Sequence, residues 1–134
     1  MSFLFFRKLF CHAVGITTIG SNAFKDCINL ESITIGSSIS SIRNDFVNGC
    51  NNLKEIKFDE ESNFKYEMGM ILTKNDTELI AYLQTNTETD FIFLPDELET
   101  IRPYAFSGNT YLEMIVIPLN VKRLEIMHLV DVVI

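Results

Sequence analysis

Ile16–Ser38 (ITTIGSNAFKDCINLESITIGSS), Ile39–Glu61 (ISSIRNDFVNGCNNLKEIKFDEE) and Leu98–Asn120 (LETIRPYAFSGNTYLEMIVIPLN) align over 23 residues without a gap. Aliphatic side chains recur in fixed slots: Ile16, Ile39 and Leu98; Ile19, Ile42 and Ile101; Leu30, Leu53 and Leu112; Ile33, Ile56 and Ile115; Ile35, Phe58 and Ile117. A unit this short cannot bury its apolar edge alone. It does so by stacking on its neighbours, so all five slots are expected to point into one continuous core. Ile33-Thr34-Ile35, Ile56-Lys57-Phe58 and Ile115-Val116-Ile117 alternate in the period of two that marks a short strand. Successive units then lay these strands side by side in a parallel sheet.

The fold class this predicts is a repeat solenoid of the leucine-rich type. Short parallel β-strands line the concave face and irregular or turn segments form the convex face. Gly36-Ser37-Ser38, Asp59-Glu60-Glu61 and Pro118-Leu119-Asn120 follow the strands with residues that favour chain reversal. The second half of a unit carries Ala23-Phe24 or Ala105-Phe106, a small residue beside a ring. The second repeat has Phe46-Val47 instead, which predicts a bulky side chain in the small slot, an underfilled aromatic slot and local repacking.

One unit is interrupted. The 36 residues between Glu61 and Leu98 are one repeat plus 13. Asp90–Leu98 (DFIFLPDEL) restores the pattern, with Ile92, Leu94 and Pro95 falling where Ile33, Ile35 and Gly36 fall. The additional residues include Met70–Thr73 and Glu78–Tyr82 around Lys74-Asn75-Asp76-Thr77, which reads as an inserted β-hairpin projecting from the solenoid edge. The expected organisation is a non-repeat segment over 1–15 and a solenoid over 16–124. The solenoid comprises repeats 16–38 and 39–61, the interrupted unit 62–97 and repeat 98–120. An incomplete or frame-shifted repeat occupies 121–134.

The consensus of these units, L-x-x-I-x-I-(P/G)-x-x-(I/V)-x-x-I-(G/R)-x-x-A-F-x-x-C, resembles the BspA-like leucine-rich repeat family over Ile16–Leu124. A glycine-containing hairpin such as Met68-Gly69-Met70-Ile71-Leu72, ahead of the return to I-x-L-P, is similar to an insertion found in that family. The resemblance implies a non-catalytic adhesion or protein-binding module, part of a surface-displayed or secreted protein. Its partner would be a protein, such as a host or matrix protein, or a further copy of itself. An intracellular structural scaffold, or a non-functional fragment of a longer repeat array, is the alternative.

A net charge of −7 disfavours nucleic acid and anionic membrane, which need clustered Lys and Arg. Met1–Phe10 (MSFLFFRKLF) puts its charges after a short apolar run, the wrong order for a signal peptide. No segment approaches the ~20 apolar residues of a membrane span. Cys27 and Cys50 share one slot in adjacent units, so their backbones are expected about 4.8 Å apart, a separation a disulfide tolerates. A pair of free core thiols is the ordinary reading. Cys11 has no evident partner. Asn75-Asp76-Thr77 is an N-glycosylation sequon in a predicted exposed turn, and chance is its ordinary reading.

Neither end keeps the pattern. Phe10 and His12 fall one repeat length before the inward residues Ile33 and Ile35. At the other end Val121-Lys122-Arg123-Leu124 opens a unit in register, and then the pattern collapses into EIMHLVDVVI. One permitted set of codons for Leu124–Ile134, read in the shifted frame, encodes GDYAFSGCRD. Its YAFSG core repeats Tyr104–Gly108. The expectation is a one-base change of frame near codon 124, against the alternative of a genuine capping strand or helix.

Chemistry is absent from the motifs. His12 and His128 have neither a neighbouring nucleophile nor metal-ligand spacing. The carboxylates of Asp59-Glu60-Glu61 and Asp96-Glu97 fall in turns, and no phosphate loop, dinucleotide fingerprint, calcium loop or nucleophile elbow occurs. No catalytic, cofactor-binding or metal-ligating residue is assigned. What remains is surface. The outward rows of the sheet read Ser32, Glu55, Phe91, Met114 and Thr34, Lys57, Phe93, Val116. Phe91, Phe93, Met114 and Val116 are therefore the candidate partner-binding residues, unless the hairpin folds over them or the next molecule of a packed array covers them.

Overall fold

A computed structural model describes residues 7–11, 15–83 and 90–124. The expectations for His12, His128, the frame change or cap over 125–134, and most of the segment 1–15 lie outside the described residues. The described strands, in chain order, are β1 (Lys8–Cys11), β2 (Thr18–Ile19), β3 (Ser32–Ile35), β4 (Ser41–Ile42), β5 (Glu55–Phe58), β6 (Phe64–Glu67), β7 (Met70–Thr73), β8 (Glu78–Tyr82), β9 (Phe91–Phe93), β10 (Thr100–Ile101), β11 (Met114–Val116) and β12 (Arg123–Leu124). The chain divides into two compact units, Met1–Tyr66 and Glu67–Ile134. Each is a segment of parallel leucine-rich-repeat solenoid with two ladders of short strands.

In the first unit β1, β3 and β5 pair in parallel, with Ile33 opposite Ile56 and Ile35 opposite Phe58. The second ladder is β2 with β4, Ile19 opposite Ile42. One carbonyl at the entry to each rung accepts two amides of the next. Arg7 O takes Glu31 N and Ser32 N, Glu31 O takes Lys54 N and Glu55 N, and Thr17 O takes Ser40 N and Ser41 N. Backbone polarity is thereby satisfied between units while the aliphatic slots face inward. Ile33, Ile35, Ile39, Ile42 and Leu30 are at most 1% exposed.

Two expectations for this unit are corrected. Phe10 is 65% exposed and pairs with Thr34, because the step from β1 to β3 is one residue longer than the repeat and places Leu9 opposite Ile33. Ile16 is half exposed, and so is Ala23 exposed and Phe24 only half-buried. Among the described residues β2 pairs with β4 alone. In the second repeat the bulky Phe46 is accommodated in the small slot: Phe46 and Val47 are both buried, at 0% and 8% exposure. Phe46 O still accepts the amide of Phe24 at 2.8 Å, so the ladder keeps its spacing around the larger side chain.

A left-handed residue recurs at one position per unit: Asp26 (φ 56°), Gly49 (φ 79°) and Gly108 (φ 79°). At Gly49 a Cβ would lie 2.1 Å from Asp26 Oδ1. The stacked Asp26 therefore requires glycine beneath it, on top of the φ that favours it.

In the second unit β9 pairs with β11, Ile92 opposite Ile115. The other ladder is β8, β10 and β12 in parallel, with Leu79 opposite Ile101 and Ile101 opposite Leu124. Thr77 O accepts Glu99 N and Thr100 N, as Glu99 O accepts Lys122 N and Arg123 N. Met70, Leu72, Leu79, Tyr82, Ile92, Leu94, Leu98, Ile101, Ala105, Phe106, Leu112 and Ile115 make one buried cluster.

The hairpin β7–β8 has the expected strand bounds, but it does not project. β8 is itself the repeat's rung, standing where β2 and β4 stand in the first unit and lying 22 residues ahead of β10. Tyr82 N donates to Ala105 O at 2.7 Å, the counterpart of Phe24 N to Phe46 O, and the Tyr82 and Phe106 rings meet tilted at 41° with centroids 5.8 Å apart. Both parities of β7 and β8 are buried, from Met70 to Leu72 and from Leu79 to Tyr82. The strands without a counterpart in the other repeats are β6 and β7, and the sequence pattern does not reveal β6. β6 turns into β7 through Met68 (φ 49°) and Gly69 (φ 85°), the two left-handed residues of a type I′ turn.

Candidate functional site

The outward parity of β9 and β11 assembles the candidate site in the second unit. Phe91 stands opposite Met114 and Phe93 opposite Val116. Neighbouring strands lie about 4.8 Å apart, so the four side chains are adjacent. Phe91, Phe93, Met114 and Val116 are 45%, 65%, 41% and 38% exposed, while Ile92 and Ile115 between them are buried. The Phe91 and Phe93 rings meet edge to face, with centroids 5.7 Å apart at 85°. That geometry suits the aromatic quadrupole and holds the two rings as one surface. β7 and β8 lie in the ladder with β10 and leave Phe91 and Phe93 exposed.

Charge is arranged around this face unevenly. Asp90 O accepts Glu113 N at 2.6 Å and Met114 N at 3.0 Å, which sets Asp90 and Glu113 together where β9 and β11 begin. Asp96 and Glu97 follow the end of β9, where Asn120 Nδ2 donates to Asp96 O at 2.8 Å. All four carboxylate residues are exposed. Between residues 90 and 121 the sole cation is Arg102, and it binds Glu78 at 2.6 Å. The first unit differs. Its outward rows pair Lys8 with Ser32 and Glu55, and Phe10 with Thr34 and Lys57, and Lys57 bridges to Glu55 at 3.3 Å. Lone Phe10 apart, that face is polar.

Tyr111 and Phe10 are exposed aromatics that residue spacing did not place on the surface. Tyr111, 52% exposed, occupies the slot of Asn29 and Asn52 just before β11. Its amide and that of Leu112 are held by Asn109 Oδ1, at 3.1 and 2.8 Å. Comparing that slot across the three units would have found it. Phe10 required the longer step to β1, which no motif reveals.

The remaining reactive residues are structural. Cys27 and Cys50 are free, buried thiols. Cys50 Sγ donates to Phe24 O at 2.9 Å, and burial pushes its pKa up to about 11, with Cys27 raised for the same reason. A thiol that resists ionisation is a poor nucleophile and a poor metal ligand. Asn75 is exposed in the β7–β8 turn, where Thr77 Oγ1 donates to its Oδ1 at 2.9 Å. Among the described residues no three His, Cys, Asp or Glu side chains converge as a metal site would require, and no helix is long and apolar enough to cross a membrane.

Comparison with known proteins accords with this architecture. The family model for the BspA type leucine rich repeat region, in six copies, matches residues 10–75 and 62–128. A leucine-rich repeat protein from Eubacterium ventriosum superposes with a TM-score of 0.68 at 27% identity, over 87% of this chain and 31% of that one. The pneumococcal vaccine antigen PcpA shares the fold with a TM-score of 0.61 at 20% identity, over 86% of this chain and 34% of that one. The chain thus spans about a third of the length of these structures. No curated protein matches it. Leucine-rich repeats are in general non-catalytic scaffolds that mediate protein interactions. With the repeat, its stacking and its insertion accounted for on both sequence and structural grounds, the chain belongs to the BspA-type leucine-rich repeat family.

Proposed function

We propose that this chain is a protein-binding module of a surface-displayed adhesin, and that it binds through the outward face of β9 and β11. One observation carries the reading: Phe91, Phe93, Met114 and Val116 lie exposed in two registered rows while the residues between them fill the core. Apolar side chains that neither pack inward nor scatter singly mark a contact surface. Aromatic and methionine side chains are also those enriched at the centres of protein interfaces. The family's association with surface-exposed proteins supports display outside the cell. No residue on the face has the partners that chemistry would need, so the module acts by contact.

Site-directed photo-crosslinking tests this. A benzophenone side chain is placed at Phe93, and in a control at Thr34 on the first unit, and each protein is exposed to a host extracellular-matrix extract. The reading expects a saturable adduct from position 93, absent from position 34 and lost when Phe91→Ser and Met114→Ser are added. Equal adducts from both positions, or none from 93, would refute it.

A further inference from the structure

Resting on the reading of the β9–β11 face as a contact surface, we infer that its occupant is a segment of another protein in which apolar side chains are flanked by Lys or Arg. The face is an apolar centre with carboxylates at both ends: Asp90 and Glu113 at the strand entries, Asp96 and Glu97 beyond β9. None of these four side chains has an ion-pair partner among the described residues. Three exposed glutamates elsewhere do have a cation beside them, Glu31 with Arg7, Glu55 with Lys57 and Glu99 with Lys122. The one cation between residues 90 and 121, Arg102, is held at 2.6 Å by Glu78, and both side chains are about one-third exposed. It is therefore not available to neutralise the rim.

The consequences follow from charge complementarity. An apolar partner that brings Lys or Arg to both ends gains attraction as its aliphatic centre covers Phe91 and Phe93, and the charges steer its approach. A second copy of this chain would bring carboxylates against carboxylates, with −7 on each molecule, so like-charge repulsion opposes self-association through this face. An anionic lipid surface is disfavoured by the same sign. The first unit's face has its Glu55 carboxylate paired with Lys57 on the same strand, and it selects for no charge on this ground.

The test is selection of random phage-displayed peptides on the immobilised full chain. Affinities of the enriched synthetic peptides are then measured for the native chain, Asp90→Lys/Glu113→Lys and Phe91→Ser/Phe93→Ser, each checked for folding by circular dichroism. Enriched peptides are expected to combine aromatic or aliphatic residues with flanking Lys or Arg. Their binding should weaken about tenfold in the charge-reversed variant, the order that two exposed charge pairs turned from attractive to repulsive provide. It should be abolished in the Phe variant. Apolar peptides with no basic bias, insensitive to charge reversal but lost with the phenylalanines, would overturn the inference and leave the contact face standing. Peptides that bind the Phe variant equally, or no enrichment at all, would overturn both. A concentration-dependent dimer in sedimentation, lost on Phe91→Ser/Phe93→Ser, would replace the basic partner with a second copy.

Discussion

Leu79→Ala is expected to destabilise the fold by about 3 kcal/mol. Leu79 is 0% exposed in β8, faces Ile101 across the parallel ladder and joins the buried cluster of the second unit. Removing its three terminal carbons forfeits about 0.8 kcal/mol for each, and the cavity adds more because stacked rungs on a regular backbone collapse little. In a urea titration followed by far-UV circular dichroism, with a slope of roughly 1–3 kcal/mol/M, the midpoint falls by about 1–3 M. A hairpin projecting from the solenoid edge would give another answer, since substitutions on an exposed appendage change stability by about 0.5 kcal/mol or less. A loss below about 1 kcal/mol with an unchanged slope would therefore show that β8 is not a rung of the core. Leu79→Val, which removes less, should fall between the native chain and Leu79→Ala, and that ordering guards against misreading a variant that fails to fold.

Phe46→Ala restores the small residue found at Ala23 and Ala105, yet it should cost about 3–5 kcal/mol, because Phe46 is fully buried and Val47 does not fill the space it leaves; equilibrium unfolding measures it. Gly69→Ala should cost about 1–3 kcal/mol in the same assay. Its φ is +85°, and the added Cβ would sit 2.9 Å from both Leu83 O and the Tyr82 ring. Cys50 makes stability depend on pH in the alkaline range. Its pKa is raised by burial from 9.0 to about 11, so its contribution is complete below pH 9 and is lost as pH rises from there through about 11. Unfolding midpoints measured across that window should fall for the native chain and fall less for Cys50→Ala.

Most of the fold is legible because a solenoid is a local rule applied repeatedly. Each strand repeats the same alternation, each turn the same reversal, and stacking requires nothing that a single unit does not already state. The slots filled by Ile33, Ile56 and Ile115 follow from that rule, while the hairpin strands Met70–Thr73 and Glu78–Tyr82 were marked by the turn residues between them. The candidate face was legible for the same reason, since parity alone turns Phe91 and Phe93 outward once Ile92 is placed inward. The exceptions arise where coverage depends on a neighbour. Ile16 and Ala23 carry the repeat's residues, but they flank β2, which among the described residues pairs with β4 alone, and they stay exposed.

The sequence by itself determined the repeat, the inward and outward rows, the family and the absence of any catalytic motif, because each is encoded in residue type and spacing. Tertiary structure decided three matters of register and coverage. It set Leu9 rather than Phe10 against Ile33, buried Phe46 and Val47 together, and made β8 a core rung with β6 and β7 as the inserted strands. Spacing says which residues repeat, but an added residue or strand shifts the register by an amount that only hydrogen bonding between rungs resolves. The acidic rim depends on tertiary structure in the same way. Asp90 and Glu113 are far apart in sequence and become neighbours only because β9 and β11 pair.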